Sequence, residues 1–305
     1  MKKRQGAGPI NKYGAPGRKF HWPPLLDCTR LRRKVHSTSM DSSDAPSRTG
    51  LTVRILSVWT WFLIALIAIV WTPWMGLVYL ATAHRDPGRY RVGRWFRRAA
   101  VTAVKVNPLW RFTTSGLKLA DPRRPYVAVA NHESFADIFL LSHLPWEMKW
   151  LSKEEIFRIP LMGWMMRMAG DIPVSRGRRE SRAAALQACR DRLGKNVSVI
   201  ILPEGTRSPD GELLPFHQGA FRLAVQLQLP ILPIALAGTR NAMPKGSLLF
   251  TRARARAHVL EPIETRGLTS DDVPDLTRRV RSLIADARAE LLEELQEEGT
   301  PRRAA

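Results

Sequence analysis

Between Ile55 and Ala83 the chain carries no charged residue, and no other feature constrains its fold as strongly. Leu, Ile, Val and Trp dominate the run. At about 1.5 Å per residue, a helix of this length exceeds the roughly 30 Å of bilayer hydrocarbon. Pro73 lies inside it, which predicts a kink or a turn. Trp59, Trp61, Trp71 and Trp74 are placed as interfacial anchors. A segment this long and apolar on every side does not suit the interior of a soluble domain. Arg48 and Arg54 precede it, and Arg85, Arg89, Arg91, Arg94, Arg97 and Arg98 follow. The heavier basic load on the C-terminal side puts the following domain in the cytoplasm, at the cell membrane. A single tilted span and a hairpin re-entering from the cytoplasm satisfy this equally.

The formal charge is +21, from 48 Lys and Arg against 27 Asp and Glu. Nucleic acid or an anionic membrane surface could explain such an excess. No zinc-finger spacing and no aromatic RNA-recognition signature is present. With the apolar run, this favours the bilayer as partner and argues against nucleic acid. Residues 1–50 are rich in Pro, Gly, Ser and basic residues without periodicity, and are expected to form a disordered basic extension. The two cysteines, Cys28 and Cys189, form neither a disulfide framework nor a zinc site and read as reduced thiols.

Beyond Ala120 the pattern is that of an α/β domain. Tyr126–Ala130, Val197–Leu202 and Ile231–Ala237 are continuous apolar runs of buried-strand type. Thr251–Leu260 alternates arginine with alanine, a strand with one wet face. Helical patterns occupy Arg179–Leu193 and Gly219–Leu229. A last helix from near Ser270 has Leu276, Val280, Leu283, Ala287 and Leu291 on its apolar face. The alternation predicts a mixed, largely parallel sheet with flanking helices, behind an N-terminal membrane helix or helical hairpin. The expected divisions are 1–50, a membrane segment with basic flank over 51–100, the main domain over 101–268, and a C-terminal amphipathic helix and tail over 269–305.

Two constellations can carry chemistry. Asn131-His132-Glu133-Ser134-Phe135-Ala136-Asp137 follows the first apolar strand. In a continuous helix His132 and Asp137 would be about 140° apart. If His132 lies in the turn and Ser134 is the N-cap, Asp137 falls at the third helical position and can reach back. A carboxylate on one imidazole nitrogen then leaves the other to take a proton from a hydroxyl. Read alone, the same residues also fit a capping box with a polar turn histidine. Pro203-Glu204-Gly205-Thr206-Arg207 follows the second apolar strand. Glycine allows close backbone approach, Thr206 can donate, and Arg207 can grip phosphate through two hydrogen bonds. A polar turn with a Glu–Arg pair fits that fragment too.

Together, in this order and spacing, the blocks resemble the 1-acylglycerol-3-phosphate acyltransferase family over about residues 95–265. His132 and Asp137 are similar to its catalytic block. Gly170-Asp171-Ile172-Pro173-Val174-Ser175-Arg176 is similar to its second, Glu204-Gly205-Thr206-Arg207 matches its third, and Leu232-Pro233-Ile234-Ala235-Leu236 looks like its fourth. Lys153 falls where members carry a phosphate-contacting lysine. Phe216-His217-Gln218-Gly219 departs from the pattern, because members often carry lysine at the position of His217.

The resemblance implies a membrane-bound O-acyltransferase of phospholipid biosynthesis that forms phosphatidic acid. The acyl donor would be acyl-carrier protein or acyl-coenzyme A, and the acceptor a lysophospholipid. His132 and Asp137 would be catalytic. Lys153, Arg176, Glu204, Gly205, Thr206 and Arg207 would bind the substrate phosphate. No metal and no cofactor is expected. Another lysolipid, such as a lyso-ornithine lipid or lysophosphatidylglycerol, is the nearer alternative. A non-catalytic basic membrane- or nucleic-acid-binding protein is the distant one.

Overall fold

The computed structural model describes residues 50–175, 177–208, 210–244 and 246–299. Apart from Gly50, the extension expected over 1–50 lies outside them, as do Cys28 and Arg176. The apolar run forms one helix, α1 (Leu51–Thr82). It passes through Pro73 without ending there, so the turn expected at that residue is absent. The chain reverses over residues 83–89 and returns as α2 (Tyr90–Val106), making a helical hairpin. The boundary expected at residue 100 therefore falls inside α2.

The hairpin is joined to the domain along its length. Ser57 Oγ accepts from the Phe250 amide at 2.8 Å, and Thr60 Oγ1 accepts from Asn107 Nδ2 at 3.3 Å. Trp61 Nε1 donates to the Leu248 carbonyl, while Trp71 Nε1 donates to that of Trp95 within the hairpin. Ala68 and Met75 are buried against Val92, Phe96, Met165 and Met166. From Ser57 to Met75, about 27 Å of helix at 1.5 Å per residue, α1 follows the domain surface. Its other side exposes Leu51, Val58, Phe62, Ile69, Leu77 and Leu80.

The remaining strands are β1 (Trp110–Gly116), β2 (Val127–Ala130), β3 (Met148–Lys153), β4 (Ile172–Val174), β5 (Ser198–Ile201), β6 (Ile231–Ala237) and β7 (Ala253–Val259). They form one sheet in the order β1-β7-β6-β2-β5-β3-β4. Every pair is parallel except β6 with β7, as expected of a mixed, largely parallel sheet. The apolar runs at β2, β5 and β6 are uninterrupted because both faces of those strands are buried. Ala128, Ala130, Ile200 and Ile234 face α2 and the short α3 (Asp137–Leu141). Val127, Val129, Val199 and Ala235 face α5 (Arg179–Gly194), α6 (Gly219–Leu227) and α8 (Val273–Gly299), while α4 (Met162–Ala169) packs on the hairpin and the short α7 (Thr239–Ala242) follows β6. The β2-to-β3 crossover and the β5-to-β6 crossover run in opposite directions along the sheet and lie on opposite faces, as two crossovers of one hand must. On β7 the arginine face is covered by α8, where Arg256 pairs with Glu294 and Glu298.

Beneath α2 lies a buried group of four charges. Lys149 Nζ on β3 donates to Glu147 Oε1 at 3.0 Å and to the carbonyls of Arg89 and Ala169. Arg97 Nη2 on α2 meets Asp171 Oδ1 at 2.6 Å, and Arg97 Nε is 3.6 Å from Glu147 Oε2. Gly93 makes room for Glu147, whose Oε1 stands 2.1 Å from where a Cβ would be. The group joins the helical hairpin, β3 and the start of β4. Removing one partner strands another charge in the interior. Lys149→Met should therefore cost about 3–5 kcal/mol of stability, and Lys149→Met with Glu147→Gln should cost less. Chemical denaturation of the detergent-solubilised protein measures both.

Candidate active site

Parallel pairing brings the carboxyl ends of β6, β2, β5, β3 and β4 to one edge of the sheet, where open α/β sheets bind ligands. Asn131, the first residue after β2, is stapled to β6. Its Nδ2 donates to the Leu236 carbonyl at 3.0 Å, and its Oδ1 accepts from the Leu236 amide at 2.8 Å. This fixes the backbone from which His132 projects.

Asp137 opens α3, so it is the first helical residue and not the third. Its Oδ2 accepts from His132 Nδ1 at 2.8 Å and from the amides of Glu133 and Ser134 at 3.0 and 3.2 Å. Its Oδ1 accepts from the Thr239 hydroxyl. Ser134 Oγ accepts from the Ala136 amide and donates to the Met243 carbonyl. The capping reading and the dyad reading therefore describe the same carboxylate. With Nδ1 bound to Asp137, Nε2 is the nitrogen left to act as a base. The His132 side chain is 17% exposed and that of Asp137 only 2%, so the dyad is sealed beneath and open above.

The loop after β5 wraps the backbone of His132. Glu204 Oε1 accepts from the His132 amide at 2.6 Å, and Glu204 Oε2 accepts from the Leu214 amide at 3.0 Å. The Ser208 amide donates to the His132 carbonyl at 3.4 Å. Glu204 was expected among the phosphate-contacting residues. The structure places it differently. Its buried carboxylate commits both oxygens to backbone amides and holds the His132 turn against this loop. Burial raises the Glu204 carboxyl above its ordinary range, partly offset by the His132 and Leu214 amides.

Gly205 takes φ +67, a left-handed conformation suited to glycine, and the ring of His217 lies against it. Thr206 is exposed and Arg207 half-buried on the same loop. Lys153 is exposed at the carboxyl end of β3, adjacent to β5. Lys153, Thr206 and Arg207 thus share the sheet edge that carries His132, and Arg176 lies outside the described residues. Among the described residues, no group of three or more His, Cys, Asp or Glu is arranged to hold a metal.

Three further residues sit behind the dyad. Thr239 follows β6 and touches Asp137. Glu133 is buried, with Oε2 3.4 Å from Thr239 Oγ1 and Oε1 2.7 Å from Arg288 Nε. Arg288 comes from α8. Glu133 adjoins His132 in the motif, yet nothing local tells which way its side chain points. The Arg288 contact spans 155 residues and has no sequence signal.

Residues 111–237 match the family model described as Acyltransferase. A 1-acyl-sn-glycerol-3-phosphate acyltransferase of Chlamydomonas reinhardtii is 34% identical over 223 residues, covering 72% of this chain and 66% of that protein. The Homo sapiens 1-acyl-sn-glycerol-3-phosphate acyltransferase alpha is 38% identical over 162 residues, covering 52% of this chain and 57% of that protein. The chain thus spans less than two thirds of these relatives' own length. The crystal structure of the 1-acyl-sn-glycerophosphate acyltransferase PlsC from Thermotoga maritima superposes with a TM-score of 0.64 at 25% identity, covering 79% of this chain and 96% of that one. The matched segment holds β2, β5 and β6 with the His132–Asp137 turn and the Glu204–Arg207 loop between them, and in sequence, fold and site this segment is that of an acyltransferase domain similar to those of the 1-acylglycerol-3-phosphate acyltransferases.

Proposed function

We propose that the protein transfers a fatty acyl group from an acyl thioester to the free hydroxyl of 1-acylglycerol-3-phosphate, forming phosphatidic acid. The observation that carries this is the sealed His132–Asp137 pair, with Nε2 unengaged by Asp137, at the edge shared with Arg207 and Lys153. His132 Nε2 takes the proton of the acceptor hydroxyl as its oxygen attacks the thioester carbonyl. An ester C–O bond forms and the C–S bond breaks. The departing thiolate of acyl-coenzyme A or acyl-carrier protein recovers the proton from the imidazolium. Asp137 and the nearby Glu204 carboxylate favour the imidazolium while it exists. Thr206, Arg207 and Lys153 hold the phosphate, turning binding energy into position. The chemistry calls on no metal or cofactor.

An apolar groove takes one wall from Phe135 and Ile138, which flank Asp137 in the chain. It is lined by Ile64 and Ala68 of α1, Ala100 of α2, Phe135, Ile138 and Met166. Its lining suits an acyl chain, and its α1 wall belongs to the helix that meets lipid. The exposed side of α1 is too large an apolar surface for water, and burying each such side chain is worth about 1.5–3 kcal/mol. Because α1 is hydrogen-bonded to the domain at Ser57, Thr60 and Trp61 and packs on it at Ala68 and Met75, we place it in one leaflet, with both ends on the cytoplasmic side of the cell membrane.

His132→Ala and Asp137→Asn should each lower turnover by about 10²–10⁴-fold while the protein stays folded and membrane-bound. Thioester consumption by purified membranes, with lysophosphatidic acid, lysophosphatidylglycerol and a lyso-ornithine lipid as acceptors, reads this out. Near-wild-type turnover by His132→Ala would refute the mechanism. Lysophosphatidic acid should be the preferred acceptor, and preference for another lysolipid would reassign the substrate.

Arg207→Ala should raise the acceptor KM by about tenfold or more, the weight of a charge-assisted hydrogen bond, and leave the donor KM little changed. A selective rise in donor KM would move Arg207 to the carrier's side. For the membrane element, Leu51→Cys and Thr82→Cys should both react with an impermeant maleimide added from the cytoplasmic face. Protection of one of them from that face would show a spanning helix.

A further inference from the structure

Two residues beyond the segment matched by the family model stand directly behind the dyad. With His132 read as the base of the proposed transfer, we infer that Thr239 and Arg288 are positioning residues: Arg288 of α8 keeps Glu133 paired, and Thr239 then gives its one hydroxyl proton to Asp137, which fixes the imidazole.

The hydrogen bonds of the pocket set the logic. Asp137 Oδ2 is fully engaged by His132 Nδ1 and two backbone amides. Only Oδ1 remains, and the Thr239 hydroxyl meets it. The second buried carboxylate, Glu133, lies 3.4 Å from the same hydroxyl. A hydroxyl carries one proton, so two carboxylates beside it compete. Arg288 holds Glu133 Oε1 at 2.7 Å and draws the carboxylate's charge away from Oε2, the oxygen that faces Thr239, so the hydroxyl favours Asp137. Burial and the neighbouring Asp137 both push the Glu133 carboxyl up, and Arg288 pulls it back. Without the guanidinium, the buried Glu133 carboxylate loses its cationic partner and competes harder with Asp137 for the Thr239 proton. It then disturbs the carboxylate that holds the histidine tautomer.

Arg288 has a second contact, from Nη2 to the Gly211 carbonyl at 2.9 Å. One heptad earlier on the same helix, Arg281 donates to the carbonyls of Leu213 and Leu214. Residues seven apart lie on one helix face, so a single side of α8 grips residues 211–214. The Leu214 amide in turn holds Glu204, which holds the amide of His132. The C-terminal helix therefore supports the histidine along two routes, one through Glu133 and one through Glu204.

The test uses the full chain, with kcat and acceptor KM measured beside a thermal melt of each variant. Thr239→Val should lower kcat about tenfold with acceptor KM within about twofold of wild type, and Thr239→Ser should recover most of it. Arg288→Leu should lower kcat about 10–100-fold, and adding Glu133→Gln to it should restore much of the loss, because the carboxylate that needed the partner is gone. Arg288→Gln is read in the same way if Arg288→Leu does not fold. Folded Thr239→Val or Arg288 variants with wild-type kcat would overturn the inference. So would failure of Glu133→Gln to rescue, or a loss confined to acceptor KM. His132→Ala separates the two levels. If it is inactive while the Thr239 and Arg288 variants are fully active, only the positioning roles fall. If it is itself active, the acyl-transfer reading falls first.

Discussion

The site depends on one constraint, the parallel pairing of β2 between β5 and β6. Parallel neighbours end at the same edge, so the turn after β2 meets the loop after β5 and the residue after β6. His132, Glu204 and Thr239, distant in the chain, become neighbours through register alone. Antiparallel pairing at either side would send one of them to the opposite edge. The side-chain bonds of Asn131 to Leu236 lock that register where it matters, one residue before the histidine.

Asp137 shows how few residues such a site needs. One carboxylate begins α3, accepts the amides of the preceding turn and orients the imidazole. The amides of Glu133 and Ser134, in the turn before the helix, are the ones that make the carboxylate a firm support. Its buried surroundings keep water from competing for those bonds. A sequence pattern offers capping and catalysis as rival explanations, but the geometry has no conflict between them.

What could be read in the chain follows burial. The strands β2, β5 and β6 are covered on both faces and stand out as unbroken apolar runs, and α6 and α8 carry a clear apolar stripe. The strands without a sequence signal break that rule. β1 is wet over most of its length, β4 has three residues, and β3 carries as its second residue Lys149, buried with Glu147 and the carbonyls of Arg89 and Ala169 as partners. The helix α2 is hidden by its arginines, one of which, Arg97, is an interior residue. Within the site, His132, Asp137 and the Glu204–Arg207 loop are legible because each follows an apolar strand within a few residues. Glu204 is visible too, but as a ligand for phosphate, since its backbone partners belong to other loops. Thr239 and Arg288 are invisible, because their partners lie about 100 residues or more away in the chain.

The edge strand β1 has its sheet partner, β7, more than a hundred residues later: Trp110 pairs with Ala253 and Gly116 with Val259. Ser57 of α1 waits still longer for Phe250. At roughly 5–20 residues per second of synthesis, about ten seconds or more pass between the emergence of α1 and that of its partners. During that interval α1 is a bare apolar helix with no domain to lie on. The apolar side of α1 is then made well before Leu248 and Phe250, which hold it to the sheet domain. The order of the strands thus makes the docking of α1 on the sheet a late step of folding, after every strand but β7 has been made.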